Sequence, residues 1–132
     1  MYCAVYSTQA AILKIISSFI ELDTDEGIGL HDLMPGIRDA VTASGIRDGF
    51  VTVTSQHTTT AIAINEYEER LLEDVKTFLA RLVPRGERYL HNDIALREYP
   101  EDEPENAHSH LAAMLLGSSE VIALCEGKLV LG

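Results

Sequence analysis

The chain has 132 residues, 46% of them hydrophobic and 23% charged, enough for one domain to bury a core without disulfide or metal staples. That composition excludes a low-complexity or unfolded polypeptide. Ten Lys and Arg against 21 Asp and Glu leave a net charge of −11 and no basic stretch to neutralise phosphates, which argues against nucleic acid and disfavours anionic membrane surfaces as partners.

Residues 15–22, rich in β-branched and aromatic side chains, predict a strand that the turn-rich Asp23-Thr24-Asp25-Glu26-Gly27 ends. His31 lies ahead of the first helix as a solvated or capping residue. Ile37, Ala40 and Val41 fall at helical spacing and predict a helix over 36–44, with Pro35 near its first turn and Gly45 as its stop. Alternation predicts strands at 50–55 and 60–65, joined by Gln56-His57-Thr58-Thr59. The strongest helical stripe is Leu71, Leu72, Val75, Phe78, Leu79 and Leu82, within a helix over 67–82 that Asn65 would cap and Pro84 would close.

A long polar connection over 85–104 follows, ending in an acidic run at 101–105 that reads as a solvated loop. A third helix over 105–116 stops at Gly117, and strands at 120–125 and 128–131 flank a turn at Glu126-Gly127. Short, intermixed strands and helices predict an α+β fold in a single domain, 1–132. The longest apolar stretches, such as 111–116, are too short to span a bilayer, and Lys14 interrupts the one stretch that could have been a signal peptide. A cytoplasmic protein is expected. Cys3 and Cys125 lack CxxC spacing and read as ordinary thiols.

Three of the five histidines stand out. His57 lies between the two central strands beside Thr58, Thr59 and Thr60, His91 lies in the polar connection, and His110 lies on the third helix. Their separations of 34 and 19 residues match no compact zinc motif, so spacing by itself favours structural histidines over a shared site. His108 cannot share a helical face with His110, two residues away. Glu66 stands at a strand-to-helix junction. It could be a general base reaching a pocket, or a first-turn carboxylate favoured by the helix dipole.

Several blocks in order resemble one family. Gln56-His57-Thr58-Thr59-Thr60 through Ile64-Asn65-Glu66 resembles the HTT…INE signature of the YjbQ-like proteins, also named secondary thiamine-phosphate synthases. Val83-Pro84, Tyr89-Leu90-His91, Asn106-Ala107-His108-Ser109-His110-Leu111, Leu116-Gly117-Ser118-Ser119 and Glu126 to Gly132 follow in register. The resemblance implies a β-sandwich-like α+β fold with about three helices, assembled as a homotrimer. It implies that His57, His91 and His110 hold a divalent metal, zinc or similar, or else an anion. His57 and Glu66 would be catalytic, and Thr58, Thr59 and Asn106 would bind a small, phosphorylated substrate.

The implied activity is weak or secondary thiamine-phosphate synthesis. The alternatives are a metal-dependent enzyme on another small substrate and a non-catalytic binding module. The family's usual continuation, a TWQ block and a DGPR-type motif, does not follow Gly132 here, so its last strands are expected to be missing. The first 14 residues extend beyond the family's usual start and are expected to lie outside the ordered domain.

Overall fold

The computed structural model describes residues 13–24, 26–96, 98 and 104–131. Cys3, most of the expected N-terminal extension and positions 101–103 of the acidic run lie outside the described residues. The fold is α+β. Three helices, α1 (Met34–Ser44), α2 (Glu69–Leu82) and α3 (Ala107–Leu116), accompany three strands, β1 (Gly49–Thr54), β2 (Ser119–Cys125) and β3 (Lys128–Val130), in one sheet of order β1-β2-β3. The described residues divide between two compact units, one drawn from Met1–Val51 with Val121–Gly132, the other from Thr52–Glu120.

In the first unit, Pro35 opens α1 and Gly45 closes it in a left-handed conformation at φ 63°. Asp32, rather than His31, accepts the Met34 N–H at 2.8 Å. Ile37 is buried on this helix. Gly36 permits a close approach, because a Cβ there would sit 2.9 Å from Ile20 Cδ1. Residues 15–22 are not a strand. They make no ladder, and Ile15, Ile16, Phe19, Ile20 and Leu22 are exposed. Their composition suits a pleated surface, but a strand exists only where a neighbouring backbone pairs with it.

β2 and β3 form an antiparallel hairpin with Ala123 opposite Val130 and Cys125 opposite Lys128. The two loop residues, Glu126 and Gly127, have φ of 52° and 79°, the pattern of a type I′ turn whose twist matches the strands. Two bonds tie the turn to the segment before β1: Gly127 N–H donates to Arg47 O at 2.7 Å, and Glu126 N–H donates to Asp48 Oδ1 at 2.9 Å. Ile122 and Leu124 are the buried positions of β2.

In the second unit, α2 begins two residues later than its hydrophobic periodicity predicts. Glu68 is the cap, its carboxylate accepting the N–H groups of Arg70 at 3.0 Å and Leu71 at 2.9 Å. Those two bonds, Arg70's first, hold the Glu68 carboxyl below the usual carboxylate range. Asn65 is not the cap, because its Oδ1 instead accepts the Glu66 N–H at 2.9 Å. Glu66 is therefore not in the first helical turn. Leu79 is the buried centre of the apolar stripe, with Leu71, Leu72 and Val75 half-buried.

Residues 60–65 also form no ladder. Thr60 N–H closes a turn on His57 O, and Ile62 N–H donates to Gly117 O at 3.1 Å, a single bond to the end of α3. Ala107 and Ala113 are buried on α3. No described helix is long and apolar enough to cross a membrane.

Candidate functional site

The second unit carries every residue singled out as a candidate. Its first component is the turn after β1. Ser55 N–H donates to Ser118 O at 2.8 Å, so the exit of β1 is held beside the segment just past α3. The chain then folds on itself: Thr60 Oγ1 donates to His57 O at 3.0 Å and also bonds Ser55 Oγ. Within this turn the His57 ring folds toward Thr59. Its Nδ1 accepts the Thr59 backbone N–H at 3.2 Å and lies 2.7 Å from Thr59 Oγ1.

The second component joins the 3-10 turn at Leu90–Asn92 to the start of α3. Asn92 Oδ1 accepts the Ala107 N–H at 3.1 Å, supplying one of the partners that a helix start lacks. In return Asn106 Oδ1 accepts from His91 Nε2 at 3.2 Å, and Asn106 O accepts the Ser109 and His110 N–H groups. This brings the His91 ring edge-on to the His110 ring, with centroids 5.0 Å apart and planes at 72°. One turn of α3 thus presents His110, while Asn106 orients His91 against it.

His57 and His110 line one open cavity of about 330 Å³ together with Thr58, Thr60, Ala113, Met114, Gly117 and Ser118. Among the described residues its polar groups are imidazoles and hydroxyls, with no Lys, Arg, Asp or Glu in the lining. A second cavity of about 380 Å³ lies on the polar connection, lined by Arg88, Asn92, Asp93, Leu96 and Glu105 among others, with Arg88 and Asp93 paired at 3.6 Å. His108 points elsewhere than His110, as their spacing requires. Its Nδ1 is buried without a hydrogen-bond partner among the described residues. Burial, and then the Arg85 charge, push its pKa below the ordinary value of 6.5.

The structure thus pairs His91 with His110 and sets His57 and Thr58 on the cavity that His110 also lines. Glu66 is exposed and is not in that lining. Thr59 touches His57 instead of lining the cavity, and Asn106 holds His91. Thr60, Met114, Ser118 and Asn92 are members of the site that sequence reasoning passed over. Leu116-Gly117-Ser118-Ser119 was a signal for Ser118, because a segment just past a helix end can face the pocket which that helix borders.

A metal centre of His57, His91 and His110 does not fit the side chains as they stand. Among the described residues no three His, Cys, Asp or Glu side chains gather closely enough to hold an ion. A ligating imidazole needs a free lone pair on one nitrogen and usually donates from the other. The Nδ1 lone pair of His57 is already directed at Thr59, which leaves the ring proton on Nε2, whereas the Nε2–H that His91 donates to Asn106 is by itself compatible with ligation.

Residues 18–132 match the family described as UPF0047 protein YjbQ-like. The chain belongs to that family. A UPF0047 relative of the YjbQ-like chain from Methanothermobacter thermautotrophicus is 35% identical over 132 residues, spanning 100% of this chain and 82% of its own. Another from Archaeoglobus fulgidus is 39% identical over 113 residues, 86% of this chain and 80% of its own. A YbjQ-like protein of unknown function from Sulfolobus solfataricus superposes with a TM-score of 0.68 at 34% identity, over 77% of this chain and 67% of that one. A hypothetical protein from Aeropyrum pernix gives 0.68 at 33% identity, over 77% and 69% of the two chains. The YjbQ-like blocks noted in the sequence, from His57 to Glu66 and from Asn106 to Leu111, fall within the matched range.

Proposed function

We propose that this YjbQ-like chain binds a small phosphorylated molecule in the cavity between the His57 turn and α3, and transfers a group there. The observation that carries the reading is the lining itself: two imidazoles, His57 and His110, with the hydroxyls of Thr58, Thr60 and Ser118, around about 330 Å³. Imidazole and hydroxyl donors suit phosphate oxygens, and the volume is that of a small-molecule site. The first reaction to test is thiamine-phosphate synthesis. There the C–O bond between the pyrimidine methylene and its diphosphate breaks with its electron pair leaving on pyrophosphate. The thiazole nitrogen lone pair forms the new C–N bond and ends as a thiazolium. Imidazole and hydroxyl donors would stabilise the charge that develops on the leaving oxygen.

The same lining supports a weak reaction, because among the described residues it includes no cationic side chain to face the leaving diphosphate. It also gives weight to a non-catalytic binding module as the second reading. The test is to incubate the full chain with thiazole phosphate and pyrimidine diphosphate and to quantify thiamine phosphate and pyrophosphate, with His110→Ala as the control. Product from the parent and a drop of about 10²-fold or more in the variant is expected for a group acting on the reacting atoms. No product from either, with thermal stabilisation of the parent by pyrophosphate, would move the function to the binding module. Exposed apolar side chains such as Leu13, Phe19, Phe50 and Met114 support assembly of several copies, and we propose a homotrimer, checked by light scattering on the eluting protein.

A further inference from the structure

We infer that the Thr59 backbone holds His57 as a hydrogen-bond donor through Nε2–H, so that His57 meets the ligand as a donor to an anionic oxygen and not as a metal ligand. The inference rests on the phosphorylated-ligand reading for what His57 donates to, but on geometry alone for which nitrogen carries the proton. The backbone N–H of Thr59 points at His57 Nδ1 from 3.2 Å. Its direction is set by the turn that Thr60 N–H closes on His57 O, so it cannot rotate away.

The Thr59 hydroxyl, 2.7 Å from the same nitrogen, can rotate and serve as either donor or acceptor. The fixed group therefore decides. Nδ1 must offer its lone pair, and the single proton of the neutral ring then resides on Nε2. A metal on Nε2 would require the proton to move to Nδ1, where it would confront the Thr59 N–H. Thr59 thereby fixes which nitrogen of His57 carries the proton, as Asn106, to which Nε2 donates, does for His91. Thr59 is a positioning residue for His57.

The test is long-range proton–nitrogen correlation spectroscopy of the full chain at a pH where histidines are neutral, with the His57 signals assigned against His57→Gln. The expected spectrum shows a pyridine-type Nδ1 and a pyrrole-type Nε2 in the parent. It shows the same in Thr59→Val, which lacks the hydroxyl but keeps the backbone N–H. One equivalent of zinc leaves both signals in place, and inorganic pyrophosphate shifts Nε2–H. A pyrrole-type Nδ1 in the parent, a reversed tautomer in Thr59→Val, or a zinc-induced exchange of the two nitrogens would each overturn the assignment. Pyrophosphate that moves neither the His57 nor the His110 ring overturns the phosphorylated-ligand reading and the donor role, while the tautomer stands or falls on the other arms.

Discussion

Asn106 Oδ1 accepts a hydrogen bond from His91 Nε2 at 3.2 Å, so the residue just ahead of α3 sets the orientation of a histidine fifteen positions earlier. That bond is why the His91 ring meets His110 edge-on at 5.0 Å. Asn106→Ala should therefore lower stability by about 1 kcal/mol, the net worth of one part-buried bond, and loosen the His91 ring. Asn106→Asp keeps the acceptor and should restore most of both. Denaturant melts and histidine line widths for the pair of variants check it, and equal losses in both would show that the bond is not the cause.

The reciprocal bond, Ala107 N–H to Asn92 Oδ1, acts as a cap supplied from outside the helix. Asn92→Ala should destabilise by about 0.5–2 kcal/mol, and hydrogen exchange should speed up in the first turn of α3 before it does in α2.

Glu126 occupies the first position of a type I′ turn at φ 52°, a conformation that costs an ordinary side chain and suits Asn or Gly. Glu126→Asn should raise stability by about 0.5–1 kcal/mol, read as a higher melting temperature. An unchanged or lower value would mean that the Glu126 side chain contributes something the turn geometry does not reveal.

His108 provides an acid-side prediction. Burial, and secondarily Arg85, depress its pKa in the folded chain below 6.5. As pH falls through that value the unfolded chain takes up the proton first, so stability declines from there downward until the folded ring also titrates. The loss between about pH 7.5 and about pH 5 should be smaller in His108→Gln than in the parent, measured by urea midpoints. Glu68 works in the opposite sense. Its carboxyl is held low by two backbone donors, so its contribution is present at neutral pH and fades as pH falls through the folded pKa. The gap between parent and Glu68→Gln should close at acid pH.

Leu79 is the buried member of the α2 stripe, and Leu79→Ala should cost about 2–5 kcal/mol. Thr77→Ala, on the exposed side of the same helix, should stay within about 0.5 kcal/mol. Denaturant curves on the two variants compare them directly.

The amino-acid sequence determined, by itself, the elements whose signals are local. Pro35 in its first turn and Gly45 at its stop mark α1, the stripe from Leu71 to Leu82 makes α2, Gly117 ends α3, and Glu126-Gly127 turns the hairpin. Each rests on periodicity or on a backbone preference within a few residues. The tertiary structure decided what depends on partners distant in the chain. Residues 15–22 and 60–65 carry strand-like composition, yet neither gains a ladder, because pairing belongs to the neighbour as much as to the segment. The cap of α2 is Glu68 and not Asn65, because Asn65 spends its oxygen on Glu66.

The site shows the same division. The histidines were legible as candidates, but the hydrogen bonds that orient the His57 and His91 rings come from Thr59 and Asn106. Hydrogen bonds of that kind are directional and discrete, so residue type and spacing name the imidazoles while only their three-dimensional neighbours assign the lone pairs.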